Sequence, residues 1–328
     1  PLQLTLIAGL AFAFTGFARA QGETLAGSRP NIILVMTDDQ GMGDLSCMGN
    51  EVLRTPNLDR FYEMSTRFTD FHVSPTCAPT RSSIFSGRHE FRNGVTHTIK
   101  ERERMALSTT TFPQLLRKAG YETGIFGKWH LGGKSPSLPN DLGFETFFGL
   151  LYSNNQGRPV VHRNRRIEED HPIDQASLTR RYTEEAISFI EENRRRPFFV
   201  YMPHTFPHIP LHAPEERLGG SRAGLYGDVV EELDASVAAV IGSLDGLGLA
   251  RDTLVLITSD NGPWFQGSPG PNRGRKMDIF EGGMRVPFVA YWPGRIPGGR
   301  VIREPVMGID LFPTLLEILG LPPPGDRA

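Results

Sequence analysis

The stretch "NIILVMTDDQG", residues 31–41, decides the fold. Its first six residues carry no charge and are apolar on both faces, the pattern of a strand inside a sheet that is covered on both sides. Two adjacent carboxylates, Asp38 and Asp39, follow at once, then Gln40 and Gly41. A strand that passes from core to acid in one step predicts a site at its carboxyl end.

Four more runs share this character: "TGIFG" (123–127), "PFFVYM" (197–202), "DTLVLITS" (252–259) and "VPFVAYW" (286–292). Between them lie helical patterns at 55–65, 111–119, 178–195, 224–245 and 309–319, with Pro113 in the first turn of the second and Gly120 just past its end. Alternating strands and helices predict an α/β fold, a mostly parallel central sheet with helices on both faces. Ligands in such sheets collect beyond the carboxyl ends of the strands. The polar motifs stand there: "TDDQG", "KWH", "HTFPHIPLH" and "DNG" each follow a strand, so four strand ends converge on one rim.

The 328-residue chain has 35 Lys+Arg against 37 Asp+Glu, a formal net charge of -2. Nothing in that balance predicts nucleic acid as a partner, so any anion binding has to be local. Residues 1–20 form an apolar run ending Ala18-Arg19-Ala20, which reads as an export signal without its basic start and implies a periplasmic or secreted protein. The alternative is a membrane anchor; no later segment is long and apolar enough to span. Residues 21–29 then read as a linker.

Asp38 and Asp39 repel each other unless something positive lies between them. With Asp260 and Asn261 they offer an all-oxygen set that suits Ca²⁺ or Mg²⁺ better than zinc. Taken singly, the first pair is equally a helix cap or turn, and Asp260-Asn261-Gly262 a β-turn. Lys128 and His130, if the strand continues, point to the same side and address one anion. His208 is held by prolines in "PHIPLHAP", with His204 and His212 flanking it; at least one of the three is structural or exposed. Lys276 precedes a glycine-rich loop.

"SPTCAPTRSSIFSGRH", residues 74–89, reads as the start of a helix with Cys77 and Arg81 at its positive end, an anion-binding geometry. Cys47 is the only other cysteine, and in an exported chain a Cys47–Cys77 disulfide is the rival reading. A plain thiolate would serve poorly against a sulfate or phosphate ester beside an oxygen-liganded metal.

The pattern Cys77-x-Pro79-x-Arg81, then Ser86-Gly87-Arg88, resembles the signature of the formylglycine-dependent sulfatases, arylsulfatase-like members of the alkaline phosphatase superfamily. Five blocks agree in order: "NIILVMTDDQG", "GYETGIFGKWHLG", "PHIPLHAP", "ITSDNG" and "GRKMDIFEGGMRVPF". The likeness runs from about Pro30 to about Leu321. Thr80 and Ser86 stand where Ser and Thr are more common, and each keeps a hydroxyl.

The resemblance implies that Cys77 is oxidised to formylglycine by a maturing enzyme. It further implies a divalent cation, usually Ca²⁺ with Mg²⁺ or Mn²⁺ as substitutes, bound by Asp38, Asp39, Asp260, Asn261 and the group made from Cys77. Arg81, Lys128 and His130 would hold the hydrated aldehyde; His208 and Lys276 would contact the sulfate and its leaving oxygen. The implied activity is hydrolysis of aryl or carbohydrate sulfates. It also implies that 30–328 is an N-terminal catalytic domain ending before the family's usual C-terminal subdomain. A formylglycine-dependent phosphonate or phosphate ester hydrolase and a non-catalytic sulfated-glycan binder are the alternatives. For substrate recognition, 152–175, His97 and the Trp264 region are positional candidates, although the arginines of 152–175 read equally as a solvated charge run.

Overall fold

The computed structural model describes residues 24–98 and 104–325. The leader read at 1–20 lies outside them, and no helix among the described residues is long and apolar enough to cross a membrane. The strands are β1 (Asn31–Thr37), β2 (Thr66–Phe68), β3 (Phe71–His72), β4 (Glu122–Lys128), β5 (Thr146–Leu150), β6 (Val161–Arg163), β7 (Arg166–Glu169), β8 (Phe198–Pro203), β9 (Thr253–Ser259), β10 (Phe288–Tyr291), β11 (Val301–Ile302) and β12 (Val306–Met307). Ten of them form one sheet in the order β11-β2-β10-β9-β1-β8-β4-β5-β6-β7; β3 and β12 pair separately. The central block β9-β1-β8-β4-β5 is parallel throughout, with β1 in register from Asn31↔Thr253 to Thr37↔Ser259.

The helices are α1 (Pro56–Met64), α2 (Cys77–Ser86), α3 (Glu90–Asn93), α4 (Phe112–Lys118), α5 (Leu178–Asn193), α6 (Gly224–Gly246), α7 (Glu281–Met284) and α8 (Leu311–Leu319). Alternation along β1 splits the core into two layers. Ile32, Leu34 and Met36 pack with residues of α2, α4 and α8, while Ile33 and Val35 pack with residues of α1, α5 and α6. This is why β1 is apolar from Ile32 to Met36, between Asn31 and Thr37. Each such buried side chain contributes on the order of 2 kcal/mol.

One expectation needs correction. "VPFVAYW" contains β10, which runs antiparallel to both β9 and β2. An apolar run reports burial on both faces, and that is the same for a central antiparallel strand. The connection from β9 contains only the four-residue α7 and turns back over the carboxyl end of the sheet. The short strands β2, β5, β6, β7 and β11 have no periodic signal in the sequence.

All ten residues of α2 are buried, so it shows no polar face. It begins at Cys77 and ends at Gly87, whose φ of 55° is left-handed and whose N–H donates to the Ser83 carbonyl at 2.7 Å. Phe85 anchors it, with ring centroids 4.9 Å from Tyr201, 5.7 Å from Phe144 and 5.9 Å from Trp129. At the end of β4, Gly127 has φ of 139°, and a Cβ there would lie 1.9 Å from the Pro203 carbonyl oxygen. Glycine therefore lets β4 and β8 close together beside the site. We expect Phe85→Ala to cost about 3–5 kcal/mol in denaturant unfolding, whereas Phe91→Ala, at a ring 77% exposed, should change it by less than about 0.5 kcal/mol. Equal effects would mean that the aromatic cluster does not seat α2.

Candidate active site

Every residue singled out in the sequence for catalysis or metal binding lies at the carboxyl pole of the parallel block or on α2 above it. Asp38 and Asp39 follow β1, Lys128 ends β4, His208 follows β8 and Asp260 follows β9. Neither acid after β1 caps a helix: the next helical turn, Met42–Asp44, starts from Gly41. Asp39 instead takes a left-handed φ of 68°. Backbone hydrogen bonds fix the rim, from Asp260 N–H to the Thr37 carbonyl at 3.1 Å and from Asp38 N–H to the Phe206 carbonyl at 3.1 Å.

Cations and carboxylates are interleaved. Arg81 Nη2 donates to Asp260 Oδ2 at 2.7 Å and to Asp38 Oδ2 at 3.4 Å, Nε donates to Asp260 Oδ2 at 3.1 Å, and Nη1 donates to the Lys128 carbonyl at 2.6 Å. Lys128 Nζ pairs with Asp38 Oδ2. Lys276 Nζ donates to Asp39 Oδ1 at 2.6 Å and reaches Cys77 Sγ at 3.3 Å. Cys77 Sγ lies 3.6 Å from Asp38 Oδ1. Three aspartates thus face one arginine and two lysines.

Burial by itself would raise the Asp38 carboxyl, but Lys128, with His208, Arg81 and Lys276, holds it well below the usual carboxylate range. Burial wins at Asp39, which is raised to about 7, with Asp38 and Asp260 opposing its charge against Lys276. Burial and the Asp38 charge push the Cys77 thiol up to about 12. The sulfur is therefore a neutral thiol at neutral pH. His130 is held well below its ordinary value by burial, Lys128 and Arg81.

Asp38, Asp39, Cys77 and His208 each turn one ligand atom into a space where all lie within 4.8 Å of one another. Asn261 sits beside them, its Nδ2 donating to Asp39 Oδ1 at 2.8 Å and its Oδ1 buried without a partner. An orphaned carbonyl oxygen next to two carboxylates is a donor set that fits a hard divalent cation. Asp260 belongs to the same cluster, with Oδ2 engaged by Arg81 and Oδ1 accepting from the Asp39 N–H at 3.2 Å.

One alternative falls, one route is corrected and one reading is sharpened. Cys47 and Cys77 are both free, Cys47 exposed and Cys77 buried, so the disulfide alternative fails. Lys128 and His130 do converge, but not by strand alternation: β4 ends at Lys128 and His130 has a left-handed φ of 64°. Of the three clustered histidines only His208 faces the site, its Nε2 3.9 Å from Asp39 Oδ2. His204 is buried against Tyr182 and Ser236, and His212 lies beside Phe206. Two of the four arginines of the 152–175 region are already paired, Arg163 with Glu168 and Glu185, and Arg165 with Asp141.

Sequence reasoning missed the brace behind the site. Asp44 accepts from Gly41 N–H, Tyr226 Oη and Ser268 N–H at 2.7–2.8 Å, tying β1's loop to the segment that carries Lys276. Arg275 tightens that segment by donating to the Trp264 and Gly267 carbonyls. The only signal was a third acid directly after a Gly-x-Gly in "DDQGMGD".

His204 gives a pH test. Burial lowers it to about 4, so between that pH and its unfolded value the unfolded state binds a proton that the folded state refuses. Stability should fall as pH drops through this window, by up to about 3 kcal/mol. We expect His204→Asn to flatten the pH dependence of unfolding between pH 6.5 and 4; an unchanged slope would place the titration elsewhere.

The sulfatase family profile matches residues 30–321. N-acetylgalactosamine-6-sulfatase of Mus musculus is 38% identical over 91% of this chain and 64% of its own length, and that of Homo sapiens 38% over 94% and 65%. Arylsulfatase G of Rattus norvegicus is 33% identical over 98% of this chain and 70% of its own. Against the first of these relatives the chain therefore spans a little under two thirds of their length. Among solved structures, Ps i-CgsB superposes with a TM-score of 0.84 at 27% identity, covering 91% of this chain and 73% of that one. The phosphonate monoester hydrolase of Agrobacterium radiobacter, at 19% identity and a TM-score of 0.66, shares the fold alone.

Proposed function

The chain belongs to the sulfatase family, and from that premise we propose that it hydrolyses carbohydrate sulfate esters, with aryl sulfates as small surrogates. The observation that carries this reading is Cys77, buried at the first residue of α2 between Lys276 and Asp38. A thiol pushed up to about 12 is a poor nucleophile, so the position makes chemical sense once the sulfur has been replaced. Formylglycine formed from Cys77 would supply, as its hydrate, one hydroxyl as nucleophile toward sulfur with the alcohol as leaving group, and a second hydroxyl whose collapse to the aldehyde would release sulfate. A divalent cation, Ca²⁺ by family habit, would be held by Asp38, Asp39, Asp260 and Asn261 and supply Lewis-acid charge to the ester oxygens.

The chain's own groups do the rest. Arg81 and Lys128 offset the Asp38 charge and hold that buried carboxyl ionised, and Arg81 also pairs with Asp260. Lys276, exposed by only 8%, presents a cation to the anionic ester. His208 Nδ1 lies 2.6 Å from the Ile209 carbonyl, which can only accept, so Nδ1 carries the hydrogen; burial lowers the ring to about 3, so Nε2 is bare and would have to take up a proton before giving it to the departing alcohol. His130, uncharged and with both ring nitrogens unpartnered, offers a hydrogen bond to the hydrated group. The names of the N-acetylgalactosamine-6-sulfatases support a carbohydrate substrate. Export through residues 1–20 and a catalytic unit beginning at residue 30 belong to the same proposal; the apolar leader and the start of the family match support them.

Two measurements test it. After expression with a maturing enzyme, peptide mass spectrometry should find formylglycine at position 77, and Cys77→Ala should abolish aryl sulfate turnover while leaving the unfolding midpoint unchanged. Turnover retained by Cys77→Ala would remove this residue from the chemistry. Asp39→Asn should weaken calcium binding roughly tenfold or more by deleting a ligand charge; calcium titration showing no change would reject the ligand set.

A further inference from the structure

The amino ends of β9, β1 and β8 meet in a groove of about 460 Å³ at the pole opposite the candidate active site. Six arginines line it: Arg29 ahead of β1, Arg194, Arg195 and Arg196 ahead of β8, Arg251 ahead of β9, and Arg295. All six are exposed, and Asp252 is the one carboxylate among the lining residues. In a chain with a formal net charge of -2, this is a strong local excess of positive charge. Part of it is fixed in place: Arg29 donates to the Ala119 carbonyl at 2.5 Å, Arg196 pairs with Glu122 at 2.8 Å, and Arg295 lies over the Trp292 ring. The guanidinium groups of Arg195 and Arg251 have no partner among the described residues.

We propose that this groove binds the sulfate groups of a polymeric sulfated glycan, acting as an exosite that tethers chain substrate to the enzyme. The inference rests on the carbohydrate sulfatase reading above. Guanidinium forks match sulfate oxygens in bidentate pairs and are weakly hydrated, so a row of them recognises repeated sulfates better than a point charge would. Single-stranded nucleic acid would need an exposed ring for stacking, and the groove's only aromatic side chain, Trp292, is 2% exposed. A membrane surface would need projecting apolar groups, and Leu249 is packed against the core instead. The two poles are separated by the length of β1, seven residues, or about 20 Å. One monosaccharide sulfate cannot engage both; a polymer held at one pole raises the local concentration of its sulfates at the other.

Retention on immobilised heparin, read as the salt concentration of elution, tests the groove without requiring turnover. We expect wild-type protein to be retained and R195E/R251E to elute at clearly lower salt, with roughly fivefold weaker binding of heparin in solution. R195K/R251K should recover most of the retention. R180E/R303E, which reverses two exposed arginines outside the groove, should elute like wild type. Turnover of a small aryl sulfate should be the same in R195E/R251E as in wild type. Wild type running through heparin, R195E/R251E eluting with wild type, R180E/R303E shifting equally, or single-stranded DNA binding as tightly as heparin would each overturn the exosite. If the heparin results hold but no sulfate ester is hydrolysed by formylglycine-bearing protein, the catalytic reading fails and the polyanion groove stands.

Discussion

Arg81 is the side chain on which the arrangement depends. It is fully buried, and it binds Asp260, Asp38 and the Lys128 carbonyl at once. Removing charged groups from water costs several kcal/mol per ion, recovered only where geometry and hydrogen bonding are close to complete. Three aspartates brought to one rim by the ends of β1 and β9 would expel one another. The guanidinium fork, with Lys128 and Lys276, turns that repulsion into a lattice of alternating charge. Such a lattice is poor as a source of stability and good as a preorganised environment: its dipoles and ions are already oriented when an anion arrives.

The fold supplies the lattice by division of labour. Strands β1, β4, β8 and β9 carry the acids, a lysine and a histidine to fixed heights, because a parallel sheet with both faces covered leaves its strands little freedom to slip. Helix α2 brings Cys77 and Arg81 down from above, four residues apart and so on one face. The loop after β9 brings Lys276 back over the top, with Asp44 as its fastening. Apolar packing thereby sets the distances between charges that would not choose them.

Much of this was legible in the sequence because buried parallel strands leave strong traces. Four of the five apolar runs became parallel strands, and the fifth misled only in direction, which burial cannot encode. Most site residues could be read because they followed a strand or opened a helix with a restrictive neighbour such as Pro79 or Gly262, whereas Lys276 stands in the long loop after β9. What could not be read depends on contacts between distant segments. Asp44 looked like one more loop acid, since its partner Tyr226 lies on α6, 182 residues away. The arginine groove was hidden similarly, assembled from four short segments whose charges cancel in the overall total.

The complete enclosure of α2 bears on timing. None of its ten residues keeps more than a sliver of surface, and Cys77 has none. An enzyme that chemically edits a side chain needs the surrounding backbone loose enough to thread into its own cleft, and a helix walled in by Trp129, Phe144 and Tyr201 offers no such slack. If the thiol is converted, the alteration has to be made while the polypeptide is still unfinished as a folded object, and the collapse of the core around it afterwards would seal the new group in place.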